Sequence, residues 1–500
     1  MTRPTIITFS LALCCHAAET KEDFLSFTNG DQLHGHFAGM AEDATLVWKR
    51  DDVGAEVKFK TDELRRVVLH GGEPLNALRG FSHIGTTNGD RIPGEIREID
   101  DKRVIIDTEF GGMMEFPREH VGLLAPSPLG GRILYHGPFE AAQWEMINTA
   151  YPDGLPAPPA EGEKKEAKGD GPPRWKHRGA AWYWKNDETG TALARKTGMP
   201  DKAVLRFDVA WKSRLSLAVS FHADFFKPEE VDAGNQVGMA MAGASRSVSL
   251  PEIFGNSYVL HMYSNYVMLY RTSFDAAGRP RLDRLQTSNS SLRLGDAGKA
   301  SVEIRCNRIS GEISLFVDGE FVSQWSELGG GIEEGQGYAG KGDGFGFVAQ
   351  SEGASMKLSE IIVSEWNGMP DSARSMQVDD ADIVLLANGT DRFSGKVTGF
   401  HEGILKLEGR FGNFEFPIAE VAEVRFSKSG LAVAEASPSA EIRLRFHPMG
   451  RISGKALGGD ASSLRLRSAH AGDIDVKLGS AVMLEFGDNE SFLDDWDDEF

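Results

Sequence analysis

Through most of this chain apolar residues alternate with polar ones, in short runs separated by turns rich in Gly, Asn and Asp. A period of two predicts strands, and the near absence of a 3.6-residue period predicts an all-β protein. One run recurs four times. Its first copy reads Leu25-Ser-Phe-Thr-Asn-Gly-Asp31, then Gly35, Leu46 to Trp48, Val57 to Phe59 and Val67 to Leu69. The second has Thr87-Asn-Gly-Asp90, Gly94, Val104 to Ile106, Met114 to Pro117 and Val121. The third has Leu386-Ala-Asn-Gly389, Asp391, Gly395, Ile404 to Leu407, Phe414 to Pro417 and Val421 to Phe426. A worn fourth copy runs from Ile442 through Gly450, Gly454, Leu464 to Leu466 and Ile474 to Val476, and ends at Val482 to Phe486.

Asn-Gly-Asp between two alternating runs supplies the positive-φ positions of a tight hairpin. The glycine four residues after the turn (Gly35, Gly94, Gly395, Gly454) falls inside the next strand, where glycine marks a bulge or sharp bend. Each copy therefore predicts about five short strands in roughly 45 residues, the size of a small barrel. The pattern resembles the bacterial Sm-like or SH3-like small barrel, at 24–70, 82–125, 382–427 and 441–487. Turn chemistry accounts for Asp31, Asp90 and Asp391, which are left out of the candidate sites.

Between 131 and 368 the strands lengthen and aromatics multiply. Val204 to Trp211 sets Leu205, Phe207, Val209 and Trp211 on one face and Arg206 and Asp208 on the other. Leu215 to Asp224 does the same, with Ser216, Ser220, His222 and Asp224 on the polar side. Further strands are expected at 258–263, 266–271, 302–305, 313–317, 345–349 and 358–366, with a hairpin turn at Asp318-Gly319. Strands with one apolar and one polar face predict antiparallel sheets packed as a sandwich. The opening Trp144, Trp182 and Trp184, the 205–221 hairpin, Ile313 to Gly319 followed by Trp325, and the closing Phe345-Gly-Phe347 to Trp366 pair resemble the concanavalin A-like jelly roll. That fold is shared by lectins, laminin G-like modules and several glycoside hydrolases, so the resemblance implies a scaffold and no particular chemistry. A Pro-, Gly-, Glu- and Lys-rich stretch at 155–173 reads as a flexible insertion, 367–382 as a weaker boundary, and 488–500 as a solvated acidic tail.

Composition narrows the function. In 500 residues, 54 basic side chains face 74 acidic ones, which argues against nucleic acid and anionic lipid as partners. Arg3, the apolar stretch Ile6 to Cys15 and small Ala17 and Ala18 have the layout of a secretory signal over 1–18. Cys14 and Cys15 would leave with it, and Leu13 before Cys14 disfavours lipidation. Cys306 then has no intramolecular partner, and a secreted or periplasmic bacterial protein without a transmembrane segment is the expectation.

Catalytic motifs are hard to find. The laminarinase-type hydrolases of this fold carry two glutamates and an aspartate at alternating positions of one strand, and no such segment occurs here. Glu360 and Glu365 lie five apart on the closing strand. Serine-nucleophile, paired-histidine zinc and phosphate-loop motifs are missing too, so a non-enzymatic protein is favoured over a hydrolase with an unrecognised carboxylate pair. No cofactor is expected; a calcium site at Asp224, Glu229, Glu230 and Asp232 is a weaker alternative to a solvated acidic loop. Binding is better supported, because Arg206, Asp208, His222, Asp224, His261, Tyr263 and Arg271 fall on the polar faces if the strand phases hold. Such groups suit carbohydrate or another surface polymer, with aromatic stacking and planar hydrogen bonds. Tyr258, Tyr266 and Tyr270 read as core or rim aromatics. A scaffold whose barrel units contact protein partners through strand edges is the alternative.

Overall fold

The computed structural model describes residues 21–149, 174–186, 191–228, 249–285, 292–327, 337–350, 354–368, 380–433 and 441–487. The signal segment 1–18, the insertion 155–173 and the tail 488–500 lie outside the described residues. Among the described residues no helix is long and apolar enough to cross a membrane.

The first repeat forms β1 (Asp23–Phe27), β2 (Gln32–Met40), β3 (Leu46–Lys49), β4 (Val57–Phe59) and β5 (Leu64–Val68). The strands pair antiparallel in the spatial order 5-1-2-3-4, and a one-turn 3-10 segment at Thr61–Glu63 precedes the last. The second repeat keeps this order with its second strand broken in two: β6 (His83–Thr86), β7 (Arg91–Pro93), β8 (Glu95–Ile99), β9 (Arg103–Thr108), β10 (Gly112–Pro117) and β11 (Val121–Ala125).

The centre of the chain forms two sheets. Its strands are β12 (Ile133–Gly137), β13 (Glu145–Asn148), β14 (Lys176–Arg178), β15 (Ala181–Asn186), β16 (Thr191–Arg195), β17 (Lys202–Lys212) and β18 (Ser216–Ala223). A short helix α1 (Leu250–Phe254) follows. The remaining strands are β19 (Ser257–Tyr263), β20 (Val267–Phe274), β21 (Pro280–Leu285), β22 (Gly298–Asn307), β23 (Glu312–Val317), β24 (Glu320–Ser326), β25 (Gly344–Ala349) and β26 (Ala354–Glu365). One sheet runs β14-β15-β26-β17-β22-β23-β24, with β12 also on β26; the other runs β13-β16-β25-β18-β19-β20-β21. Leu205, Phe207, Val209 and Trp211 of the first meet Leu217, Val219, Phe221 and Phe347 of the second in one buried core, as alternation requires. The central residues are thus an antiparallel β-sandwich.

The last two repeats form β27 (Asp382–Leu386), β28 (Arg392–His401), β29 (Ile404–Gly409), β30 (Gly412–Pro417), β31 (Val421–Arg425), β32 (Glu441–Phe446), β33 (Arg451–Asp460), β34 (Ser463–Ser468), β35 (Gly472–Lys477) and β36 (Ala481–Phe486). They do not pair with each other in sequence order. Unit 4 lays β36 against β5 of unit 1, matching Leu484 to Val67, and unit 3 lays β31 against β11 of unit 2, matching Val424 to Leu124. Among the described residues, 21 strands of the four units make one continuous sheet with one shared core.

The repeated glycine has one cause in all four units. A Cβ at Gly35, Gly94, Gly395 or Gly454 would stand 2.6, 2.5, 2.3 or 2.9 Å from a carbonyl oxygen of the neighbouring strand, closer than any side chain tolerates. The register then slips at the same distance beyond each glycine, at Phe37/Gly39, Ile96/Glu98, Val397/Gly399 and Ala456/Gly458. These bulges curl the second strand. In units 1 and 3 a buried aspartate holds the curl: Asp23 accepts the Phe37 and His70 N–H groups at 2.7 Å each. Asp382 repeats this with Val397 at 2.8 Å and Ser427 at 2.9 Å.

The sandwich docks on units 1 and 4. Glu360 sits at a bulge in β26 with a left-handed φ of 47° and bonds Arg66 of β5 at 2.6 Å and His136 of β12 at 2.9 Å. The Arg66 guanidinium and the hydrogen bond to His136 hold its carboxyl well below the usual range despite burial. Beside it, Phe24, Val68 and Met483 close over Ala180. The Asp382→Ala substitution strands one buried and one part-buried N–H group and should cost about 2 kcal/mol, whereas Asp31→Ala, in an exposed turn, should cost well under that. Chemical denaturation of the two variants checks this, and equal losses would refute the assignment.

Candidate functional site

The outer face of the seven-stranded sheet offers the most chemistry. Strand β19 sends Tyr258, Leu260 and Met262 into the core, so Ser257, Val259, His261 and Tyr263 face outward. Register places Ala218 of β18 and Met268 of β20 on either side of His261, and Ser220 and Tyr270 on either side of Val259. Outward positions of β18 are Ser216, Ala218 and Ser220; those of β20 are Met268, Tyr270, Thr272 and Phe274.

This face has two halves. At one end α1 covers it, burying Leu250, Ile253 and Phe254 on Ala192, Ala218, Val259 and Val348. Phe254 fits because β25 has glycine at 346, where a Cβ would come within 2.6 Å of its ring. Underneath runs a buried hydroxyl chain, in which Ser220 donates to Ser257, Ser257 to Thr272, and Thr272 to the Gly255 carbonyl. The other end carries four rings. Tyr270 lies 4.8 Å from His261, Tyr263 lies 6.4 Å from it, and Tyr266 stacks on Tyr263 at 4.6 Å. Tyr266 is 38% exposed, and Tyr263 and Tyr270 are half-buried.

His261 is the unusual member. It is only 8% exposed, yet its Nε2 has no hydrogen-bond partner among the described residues. Burial pushes its pKa down to about 4, so the ring is neutral at physiological pH. A neutral imidazole with an unused nitrogen beside phenol rings can bond a ligand hydroxyl while the rings stack on the ligand's apolar face.

The remaining candidates are dispersed. Arg206 and Asp208 belong to β17, in the opposite sheet, so they share no surface with His261 and Tyr263. Arg206 reaches Ser301 at 3.3 Å; Asp208 is buried, and desolvation pushes its pKa up to about 6. His222 does not face outward with Ser220, because the register slips between Phe221 and Ala223 and leaves it fully buried with φ 50°. Its Nε2 donates to the Pro200 carbonyl at 2.9 Å and its Nδ1 accepts from Tyr338 at 2.7 Å, so both nitrogens are engaged within the fold. Asp224 accepts from the Phe226 and Asn256 N–H groups and the Asn256 amide, tying a loop; Glu229, Glu230 and Asp232 lie outside the described residues. Arg271 pairs in register with core-facing Tyr258 and meets Glu327 at 3.3 Å and Asp283 at 3.5 Å at the margin between the sheets. Glu360 and Glu365 are held in separate ion pairs, the latter with Arg132. Of the seven sequence candidates, the structure groups His261 and Tyr263, and it adds Tyr266, Tyr270 and Met268.

No family profile and no curated protein matches the sequence. Solved structures similar to part of the chain include a Bacillus subtilis protein of unknown function with a galectin-like fold, 11% identical, spanning 47% of this chain and 97% of that one at a TM-score of 0.30. The carbohydrate-binding module CBM66 from Bacillus subtilis is 8% identical over 44% of this chain and 93% of its own, with a TM-score of 0.22. A Bacillus licheniformis β-glucanase is also 8% identical, over 47% and 99%, with a TM-score of 0.26.

Three buried histidines set a pH response. His83, His222 and His261 are each pushed down to about 4 from 6.5 by burial. The unfolded chain therefore protonates first as pH falls, so their contribution is full above pH 6.5 and is lost toward pH 4. Asp208, raised to about 6, runs the other way and offsets one of them. Denaturation at pH 7.5 and 4.5 should show a His222→Gln variant weaker than wild type at the higher pH but with a pH-dependent loss smaller by about 2 kcal/mol. An unchanged loss would mean that His222 is charged in the folded protein.

Proposed function

We propose that this chain is an exported, non-enzymatic binding protein whose concanavalin A-like sandwich engages carbohydrate or another hydroxyl-rich surface polymer. The ligand face is the ring-lined end of the seven-stranded sheet. The observation that carries this reading is His261, a buried neutral imidazole with an unpartnered Nε2, set among Tyr263, Tyr266 and Tyr270. Leaving a buried polar atom unpaired costs about 1–3 kcal/mol, a cost a ligand hydroxyl would relieve. Tyrosine rings at a half-open surface supply the stacking that a pyranose needs.

A hydrolase reading finds less support. Two carboxyl groups must flank a glycosidic bond. The outward positions of β18, β19 and β20 hold serines, a threonine, alanine, valine, methionine, tyrosines, a phenylalanine and one histidine, with no carboxylate among them. The flanking units, with strand order 5-1-2-3-4 and a 3-10 turn before the last strand, fit an Sm-like or SH3-like barrel assignment. In this reading they carry the sandwich.

Titration calorimetry of the full chain against a panel of soluble polysaccharides tests the proposal. At least one should bind, with His261→Ala and Tyr270→Ala each weakening it about tenfold or more and Arg206→Ala, on the opposite sheet, leaving it unchanged. Binding that is lost with Arg206 and kept without His261 would move the site to the other sheet. No binding across the panel would sink the reading.

A further inference from the structure

Units 2 and 4 meet face to face, and each seats an aromatic tip on the other. The tip between the third and fourth strands of unit 2 carries Phe110, 1% exposed, which stacks on Phe446 at the end of the first strand of unit 4, at 4.2 Å and 20°. In return the tip of unit 4 carries His470, which stacks on His120 in the 3-10 turn of unit 2, at 4.1 Å and 19°. The Asn-Gly-Asp turn of unit 2 is locked into the same contact: Asp90 accepts from the Ser453 N–H at 2.9 Å and the Ser453 hydroxyl at 2.7 Å.

Unit 3 has an exposed tip and a half-open mouth, touched at its edge by the segment after β11, where Ser127 donates to the Ala419 carbonyl and Leu129 lies beside Gly389. Counted from the end of the third strand, at Gly409, Thr108 and Ser468, Phe411 falls at the position of Phe110 and His470, in a hairpin loop one residue shorter. Phe411 is 89% exposed, with the Arg410 guanidinium 5.7 Å from its ring. Leu386 stands where Phe446 stands in unit 4, and Phe393 where Ile452 does; both are half-buried in unit 3, whereas Phe446 and Ile452 are fully buried. Phe414 is likewise half-buried, against 3% exposure for Met114 at its position in unit 2. Asp391 and Glu420, at the rim of this mouth, are exposed.

We propose that unit 3 is a self-association surface, on which Phe411 of one chain seats against Leu386, Phe393 and Phe414 of a second copy that returns the same contact. The occupant follows from the contact between units 2 and 4, which needs both a tip and a mouth on each side. Unit 1 has a half-open mouth at Phe27 and Phe59, but its tip reads Arg50-Asp-Asp-Val-Gly-Ala-Glu56, without an aromatic. Only unit 3 can complete the exchange with itself, and a self-complementary patch closes as a two-fold dimer. Charge agrees, since Arg410 beside each tip would approach the acidic rim, Asp391 and Glu420, of the other copy.

This proposal is independent of the ligand reading. Sedimentation velocity of the full chain at rising concentration should show the mass doubling and then levelling. Phe411→Asp should raise the dimer dissociation constant about 30-fold or more while leaving the melting temperature unchanged at concentrations where both proteins are monomeric. Ile309→Asp, at a 67% exposed residue of the sandwich, should leave the dimer intact. Should Phe411→Asp fail to fold, Arg410→Glu is expected to weaken the dimer in the same direction. A monomeric wild type at every concentration overturns the proposal, as does a dimer indifferent to Phe411. A mass that grows past the dimer would point instead to head-to-tail contact with unit 1.

Discussion

The last strand of a unit in the order 5-1-2-3-4 is an edge, and the architecture depends on how four such edges are satisfied. Each leaves a row of unpaired N–H and C=O groups and an apolar flank, which a soluble protein must cover. Here β5 is covered by β36 and β11 by β31. The two pairings clamp the first part of the chain to the last, joining units 1 with 4 and 2 with 3, and the contact of β7 with β33 brings the two pairs into one core. They also fix the platform on which Arg66 of β5 meets Glu360 of the sandwich. A central domain whose two chain ends are tied to the same platform is held at both of its junctions.

Features set by a single residue's backbone demands were legible in the sequence. Asn-Gly-Asp turns and the strand glycines announce themselves because few other residues adopt positive φ or admit a carbonyl so close. The alternation of β17, β18 and β19 was equally readable, since one flank of each packs in a dry core. What alternation cannot state is which sheet a strand joins, and so Arg206 and Asp208 looked like partners of His261 when they lie across the sandwich from it. Nor does it foresee a slip: one bulge after Phe221 turned His222 from a surface group into a buried one. Arg271 shares the inward phase of Val267 and Leu269 on its strand, and the outward phase between them carries Tyr270. Asp23 and Asp382 left no sequence signal beyond a carboxylate at the head of a strand, because the groups they satisfy arise only after the strand has bulged.

The two halves of the outer sheet face show how one surface is divided between stability and availability. Small residues at Ala192, Ala218 and Gly346 make a shallow bed that α1 fills, so that end contributes to packing. Larger rings beyond it cannot be covered by so short a helix and stay half-open. His261 sits near the boundary, dry enough to remain neutral.

The pairing of β5 with β36 has a consequence in time. A chain made from its N-terminus completes Val67 long before Leu484, its partner across the sheet, exists. At about 5–20 residues per second the wait is roughly 20–80 seconds, far beyond the time a hairpin or small barrel needs to form. Units 1 and 2 therefore spend that interval with uncovered edges, and the intervening sandwich must be produced before either is sealed. Whatever keeps the nascent chain from pairing with its neighbours during that interval is as much a condition of this fold as any contact within it.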